Sequence, residues 1–168
     1  SCIDPDNIKT ESTGVDSAEV AHLNIWLNEI FERNLMDSPE FLSQLGRKDR
    51  QHELDDISEE HSLLKLEAAK NDLVALQKFS TEKLDEQSLL SYRLFKRKLE
   101  REINYSNYRH YDYPVNQMHG MQSELPSFML NKHVVDNKED ALAYVSRLNL
   151  FKSHFDKLIY NLKIREDK

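Results

Sequence analysis

The chain has 168 residues, enough for one domain that buries about 70% of its unfolded surface. Charged residues make up 32% and there are only 3 glycines, a balance that favours helices over sheet. A formal charge of -7 opposes nonspecific binding to nucleic acid, no apolar run approaches the roughly 20 residues that cross a bilayer, and a lone cysteine excludes an internal disulfide.

That cysteine is Cys2, preceded by Ser1 and followed by the polar stretch "IDPDNIKTESTGVDS". A small residue before a cysteine, with a tether behind it, has the form of a bacterial lipoprotein N-terminus after signal removal. A tag scar or a chance cysteine are the alternatives. Residues 1–16 therefore read as a tether and residues 17–168 as one helical domain.

Asp16 or Ser17 caps a first helix over about 17–36, in which Val20, Leu23, Trp26, Leu27, Ile30 and Phe31 recur at helical spacing. Ser38 and Pro39 open a short second helix: serine caps, and proline is tolerated where its missing N–H has no partner. Phe41, Leu42 and Leu45 form its apolar face and Gly46 ends it. "RKDRQHELDD", residues 47–56, is polar throughout and reads as a loop. Ser58, Glu59 and Glu60 start a third helix carried by Leu63, Leu66, Leu73, Leu76 and Phe79 to about residue 80. A fourth runs over about 85–108, with Tyr92, Phe95, Leu99 and Ile103 on its buried stripe. The last, over about 138–165, is capped by Asn137. Ala141, Val145, Leu148, Phe151, Phe155, Leu158 and Leu162 step along it as a packed seam. The expected fold is all-α, an antiparallel multi-helix array.

Between the last two helices lies "YDYPVNQMHGMQSELPSFML", residues 111–130. It holds two of the 4 prolines, one of the 3 glycines and three of the 4 methionines, so it reads as one long irregular loop, with room for a short extended or helical turn within 125–131.

No catalytic constellation emerges. "HELDD" lacks the second histidine of a zinc-binding H-E-x-x-H helix, because Asp56 stands in its place. His154, beside Phe155, reads as a surface or boundary residue. There is no phosphate-binding glycine loop and no G-x-S-x-G, so the chain shows no metal or catalytic residue of its own.

Four blocks in order, "LNEIFERNLMDSPEFLSQLGRKDR", "LDEQSLLSYRLFKRKLE", "YPVNQMHGMQSELPSFML" and "EDALAYVSRLNLFKSHFDKLIYNLK", resemble the N-terminal region of the bacterial DUF885 proteins. The resemblance covers about residues 18–163, and its most specific part is the third block, with Tyr113, Pro114, Asn116, Gln117, Gly120, Leu125 and Pro126. It implies a longer, mostly helical, zinc-metallopeptidase-like envelope lipoprotein. Its H-E-x-x-H helix and zinc lie in a C-terminal part absent here, so this chain reads as a fragment. Cys2 is then the lipidated residue and the membrane is met only through that anchor, in the outer membrane if the cell is Gram-negative. Tyr113, Asn116, Gln117, His119, Gly120 and Gln122 become candidate cleft-lining residues, offering uncharged donors and acceptors to a peptide substrate. Met118, Met121 and Phe128 are the apolar residues expected to stay exposed for a missing partner surface, the C-terminal part of the same protein. The alternative is a non-catalytic helical scaffold module of the cell envelope. A structural crossing is likewise the alternative for residues 111–130.

Overall fold

The structure, a computed structural model, describes residues 14–112, 114–117 and 120–166. Six helices follow in order: α1 Ser17–Met36, α2 Pro39–Gln44, α3 Glu59–Leu76, α4 Glu86–Tyr105, α5 Met121–Asn131 and α6 Lys138–Glu166. Short 3-10 turns occupy Thr81–Lys83 and Ser106–Tyr108. No strand occurs among the described residues, and the fold is all-α.

The helix starts are set locally. Asp16 Oδ1 accepts the Ala18 N–H, Ser38 Oγ that of Phe41, Ser58 Oγ that of His61, and Asp85 Oδ1 that of Ser88. Asn137 Oδ1 accepts from Asp140 N at the start of α6. Each such cap contributes about 1 kcal/mol by satisfying a donor that the helix itself leaves open. Gly46 follows α2 at φ 76°, the left-handed conformation that glycine adopts without strain.

Two apolar clusters follow. In the larger, Leu23 of α1, Ala69 and Leu76 of α3, and Tyr92 and Leu99 of α4 are buried together with Leu84, with Trp26, Phe79 and Phe95 packed on them. α3 and α4 are antiparallel: Glu59 at the start of α3 meets Arg109, just past α4, at 2.7 Å. The smaller cluster joins Leu125, Phe128 and Met129 of α5 to Tyr144, Phe151 and Phe155 of α6 and to Leu54.

Four expectations need correction. Residues 121–131 are helical despite Pro126, so the irregular stretch stops at Gly120. Burial of Leu125, Phe128 and Met129 is worth about 1.5–3 kcal/mol per side chain, enough to outweigh the N–H that Pro126 lacks. Phe128 is accordingly buried rather than exposed, and Met121 is half-buried. α3 ends at Leu76 rather than near 80, and Phe31, Phe41, Leu45 and Leu63 are exposed.

The fourth correction concerns α6. Ala141, Val145 and Leu148 face solvent, while Asp140, Arg147, His154 and Leu158 are buried. Half-buried Tyr144, Phe151, Asn161 and Arg165 complete that inner edge. It steps by four and three like the expected seam, but starts one residue earlier and is largely polar. His154, expected at the surface or at a boundary, is 5% exposed.

Candidate functional site

The turn ahead of α5 is built around one glycine. Val115 and Gly120 form an isolated antiparallel bridge, and Met121 N donates to the Pro114 carbonyl. Gly120 sits at φ 144°, and a Cβ there would lie 2.8 Å from Pro114 O and 2.9 Å from Val115 Cα. Only glycine closes this turn without strain. The Gly120 carbonyl accepts from the N–H groups of Ser123 and Glu124, which starts α5.

Gln122 Nε2 donates to the Asn116 carbonyl at 2.8 Å, tying the tip back to the helix. Asn116 and Gln117 are exposed and Gly120 is buried. Thus Asn116, Gln117, Gly120 and Gln122 share one small turn. Tyr113, Met118 and His119 lie outside the described residues.

A second polar centre was not foreseen. Arg147 has no exposed surface, and its guanidinium joins four segments. Nε donates to Glu53 O at 2.7 Å, Nη1 to Ser43 Oγ and His133 Nδ1 at 2.9 Å each, and Nη2 to Pro39 O at 3.0 Å. The Phe128 ring lies 5.0 Å from its carbon, a cation–π contact. Burial draws the guanidinium down to about 10, against Glu40, Asp55 and Glu53, so it stays charged at neutral pH. The signal in sequence was its register: Asp140, Tyr144, Arg147, Phe151, His154 and Leu158 make an unbroken four–three stripe.

Around it, residues 47–58 form a strap across α6. Gln51 Nε2 donates to Val134 O, Lys48 pairs with Asp136 and Asp140, Lys157 pairs with Asp56, and Asn161 Nδ2 donates to Ile57 O. Lys157 holds the Asp56 carboxyl down at about 2. Arg50 lowers Glu53, and Lys48 lowers Asp140. Arg50, at φ 54°, also donates to Met36 O at 2.6 Å and so closes the C-terminus of α1. Burial lowers His154, whose charged neighbours are Lys157, Asp55 and Asp56.

Two grooves open elsewhere. One of about 740 Å³ lies between α1, α3 and α4, with Leu99 and Ala69 among its lining and Arg33, Asp72, His61 and Lys65 among its polar residues. Arg33 grips the buried Asp72 through two hydrogen bonds, and His61 Nε2 lies 3.0 Å from Asp37. The other, of about 480 Å³, is largely apolar, with Leu27, Ile30, Phe31, Phe41 and Leu94. Neither is lined by the turn at 114–122.

Among the described residues, no three His, Cys, Asp or Glu side chains are placed to hold a metal ion. In the "HELDD" segment, His52 Nε2 lies 3.4 Å from Glu53 and Asp56 pairs with Lys157 at 2.8 Å. Among the described residues, no helix is long and apolar enough to cross a membrane.

Comparison with known proteins gives one match: a family model described as a bacterial protein of unknown function (DUF885) covers residues 39–168. The match thus includes the turn at 114–122, the strap and α6, and leaves out α1. Neither the curated proteins nor the solved structures gave a match.

Proposed function

The chain belongs to the DUF885 family, and on that premise we propose that it is the non-catalytic helical region of a lipid-anchored, metallopeptidase-like protein of the bacterial envelope. In this reading it walls a cleft that a further, zinc-binding part of the same protein completes, and that part does the chemistry. The observation that carries it is the turn at 114–122. Its path requires glycine at 120, and it sets Asn116 and Gln117 in solvent close to Gln122. Uncharged amide donors and acceptors on a fixed turn suit an extended peptide backbone, which offers the same groups in return.

The outer edge of α6 supports the docking half of the reading. Leu142, Val145 and Leu148 are 59%, 52% and 43% exposed, along one side of the helix. A contiguous apolar stripe of that kind usually marks a surface that something covers. Cys2 would carry the lipid, and two or more acyl chains at about 0.8 kcal/mol per buried CH₂ hold a soluble domain at a membrane.

The test is made on the gene and its whole product. Reading the frame past the Lys168 codon should reveal an H-E-x-x-H motif, and the whole protein should bind zinc and hydrolyse peptides. Asn116→Ala or Gln117→Ala should then lower turnover or raise KM more than they lower Tm. A stop codon near Lys168 would reject the reading in favour of a helical scaffold module, for which the apolar groove at Phe31, Phe41 and Leu94 offers a partner surface.

A further inference from the structure

The strap is fastened chiefly by polar contacts. Leu54 packs on the smaller apolar cluster, but the remaining ties to α6 and the link before it are the hydrogen bonds and ion pairs of Lys48, Gln51, Glu53, Asp56 and Ile57, while Arg47, Arg50 and Asp55 bind α1 and α2. One of them leads to His133, buried at the start of the segment linking α5 to α6: Glu53 O accepts from Arg147, whose Nη1 also meets the His133 ring.

The protonation of its ring is dictated by its partners. Nε2 lies 3.1 Å from the Asp140 carbonyl, which can only accept, so Nε2 carries the hydrogen. Nδ1 lies 2.9 Å from Arg147 Nη1, which can only donate, so Nδ1 presents its lone pair. A second proton has one place to go, Nδ1, where it would point at the guanidinium.

The charged surroundings do not compensate. α6 brings Arg147 and Asp140, and the Tyr144 ring stands edge-on at 5.1 Å. The strap brings Lys48, already engaged with Asp140 and Asp136, and Glu53, whose carboxylate pairs with Arg50. Glu40 and Asp55 act on Arg147 from its other side.

We infer that His133 is a proton-operated latch on the strap. Neutral, it completes the Arg147 junction. Protonated at Nδ1, it breaks the bond to Arg147 and releases residues 47–56 from α6. The inference rests on this geometry and not on the family reading.

The direction of titration agrees. Burial lowers His133 below its ordinary 6.5, the Asp140 carbonyl opposes this, and Arg147 lowers it further. A released or unfolded chain therefore takes up the proton before the latched one does. The latch is fully closed above about 6.5 and weakens as the pH falls toward the lower native value. His154 is lowered as well, by burial, and acts with Asp55 and Asp56 of the strap, so its own acid response is read separately in His154→Gln.

The test is amide hydrogen exchange on the whole chain at about pH 7.5 and about pH 5.5, corrected for intrinsic rates, each unit of differential titration being worth a factor of ten. Peptides covering 47–56 should exchange faster at the lower pH, beyond the scatter of replicate measurements, while those of α3 and α4 change little. His133→Gln keeps both bonds, its amide N–H donating to Asp140 O and its oxygen accepting from Arg147, but takes up no proton. Its strap should be equally protected at both pH values, and His154→Gln should respond as the parent does. A parent strap with the same protection at both pH values would overturn the latch, and so would His133→Gln losing protection in acid. If His133→Gln does not fold, nitrogen NMR of the parent imidazole decides. Nδ1 must be unprotonated at neutral pH and must titrate in step with strap release; a protonated Nδ1, or titration without release, rejects the proposal.

Discussion

Glu40 and Asp55 cap each other: Glu40 N donates to Asp55 Oδ1 at 3.0 Å, and Asp55 N donates to Glu40 Oε1 at 3.1 Å. Ser38 Oγ donates to the second oxygen of Asp55 at 2.7 Å. Two carboxylates thus share one small site, fixing α2 to the strap. Burial pushes Glu40 above its ordinary value, Asp55 adds to the push, and Arg147 opposes it.

This gives a signed expectation. Because the folded Glu40 holds its proton more tightly than the unfolded one, its contribution to stability is present in acid and is lost as the pH rises through the raised native value. Glu40→Gln keeps the oxygen that accepts from Asp55 N and removes the charge. It should raise Tm at pH 7 by a degree or more, with the gain vanishing near pH 4. A variant that melts lower than the parent at pH 7 would show that the charge is wanted there.

Arg147→Met should be the most damaging of these single changes. It leaves Glu53 O, Ser43 Oγ and His133 Nδ1 without the donor Arg147 supplies, and Pro39 O with Ser43 Oγ in its place. Breaking a buried polar junction from one side costs about 3–5 kcal/mol, a large part of the 5–15 kcal/mol that holds an ordinary domain. Arg147→Lys should recover little, because one ammonium cannot reach four acceptors laid out for a planar fork. Urea denaturation measures both, and a loss under about 1 kcal/mol for Met would show that the junction relaxes or rewets.

Gly120→Ala and Gln117→Ala separate structure from function in the turn. The first puts a methyl against Pro114 O and Val115 Cα at a positive φ and should cost about 1–3 kcal/mol. The second alters an exposed side chain and should stay within about 0.5 kcal/mol of the parent. If Gln117→Ala destabilises as much as Gly120→Ala, the turn is architecture and the cleft reading loses its support.

On α6, Val145→Glu combined with Leu148→Lys should leave the melting of this chain within a few degrees of the parent, since both positions face water. In the longer protein proposed above, the same pair should lower Tm sharply by placing charges in a buried joint. Differential scanning calorimetry on both forms makes the comparison, and an equal effect in the two would reject the covered-face reading.

What could be read in the sequence was what is decided locally. Asp16, Ser38, Ser58, Asp85 and Asn137 start helices because a side-chain oxygen reaches the N–H two or three residues on, and that depends on no distant contact. α5 could not be read, because Gly120 and Pro126 mark breaks, and only the packing of Leu125, Phe128 and Met129 on α6 outweighs them. The register of α6 was missed for a similar reason. Its N-terminal half packs against backbone carbonyls of α2 and the strap, which need donors, so Arg147 turns inward and Val145 outward. Of the candidate cleft residues, Asn116, Gln117, Gly120 and Gln122 lie on one turn, with Gln122 bonded to the Asn116 carbonyl. Nothing in the spacing marked Arg147 and His133 as partners, since His133 lies in the link between α5 and α6, where no helical period carries it to Arg147.

A joint closed by hydrogen bonds can part into water with its groups rehydrated, whereas a joint closed by oil cannot. The inner edge of α6, carrying Asp140, Arg147, His154 and Asn161 at every seventh residue, is largely a joint of the first kind. Its outer edge is already wet and already apolar. Opening the strap should therefore add little that is adhesive, and the stickiness of this chain should belong to its closed, folded form. Self-association should then follow protein concentration and be blunted by Val145→Glu, while mild warming or acid that loosens the strap leaves it nearly unchanged.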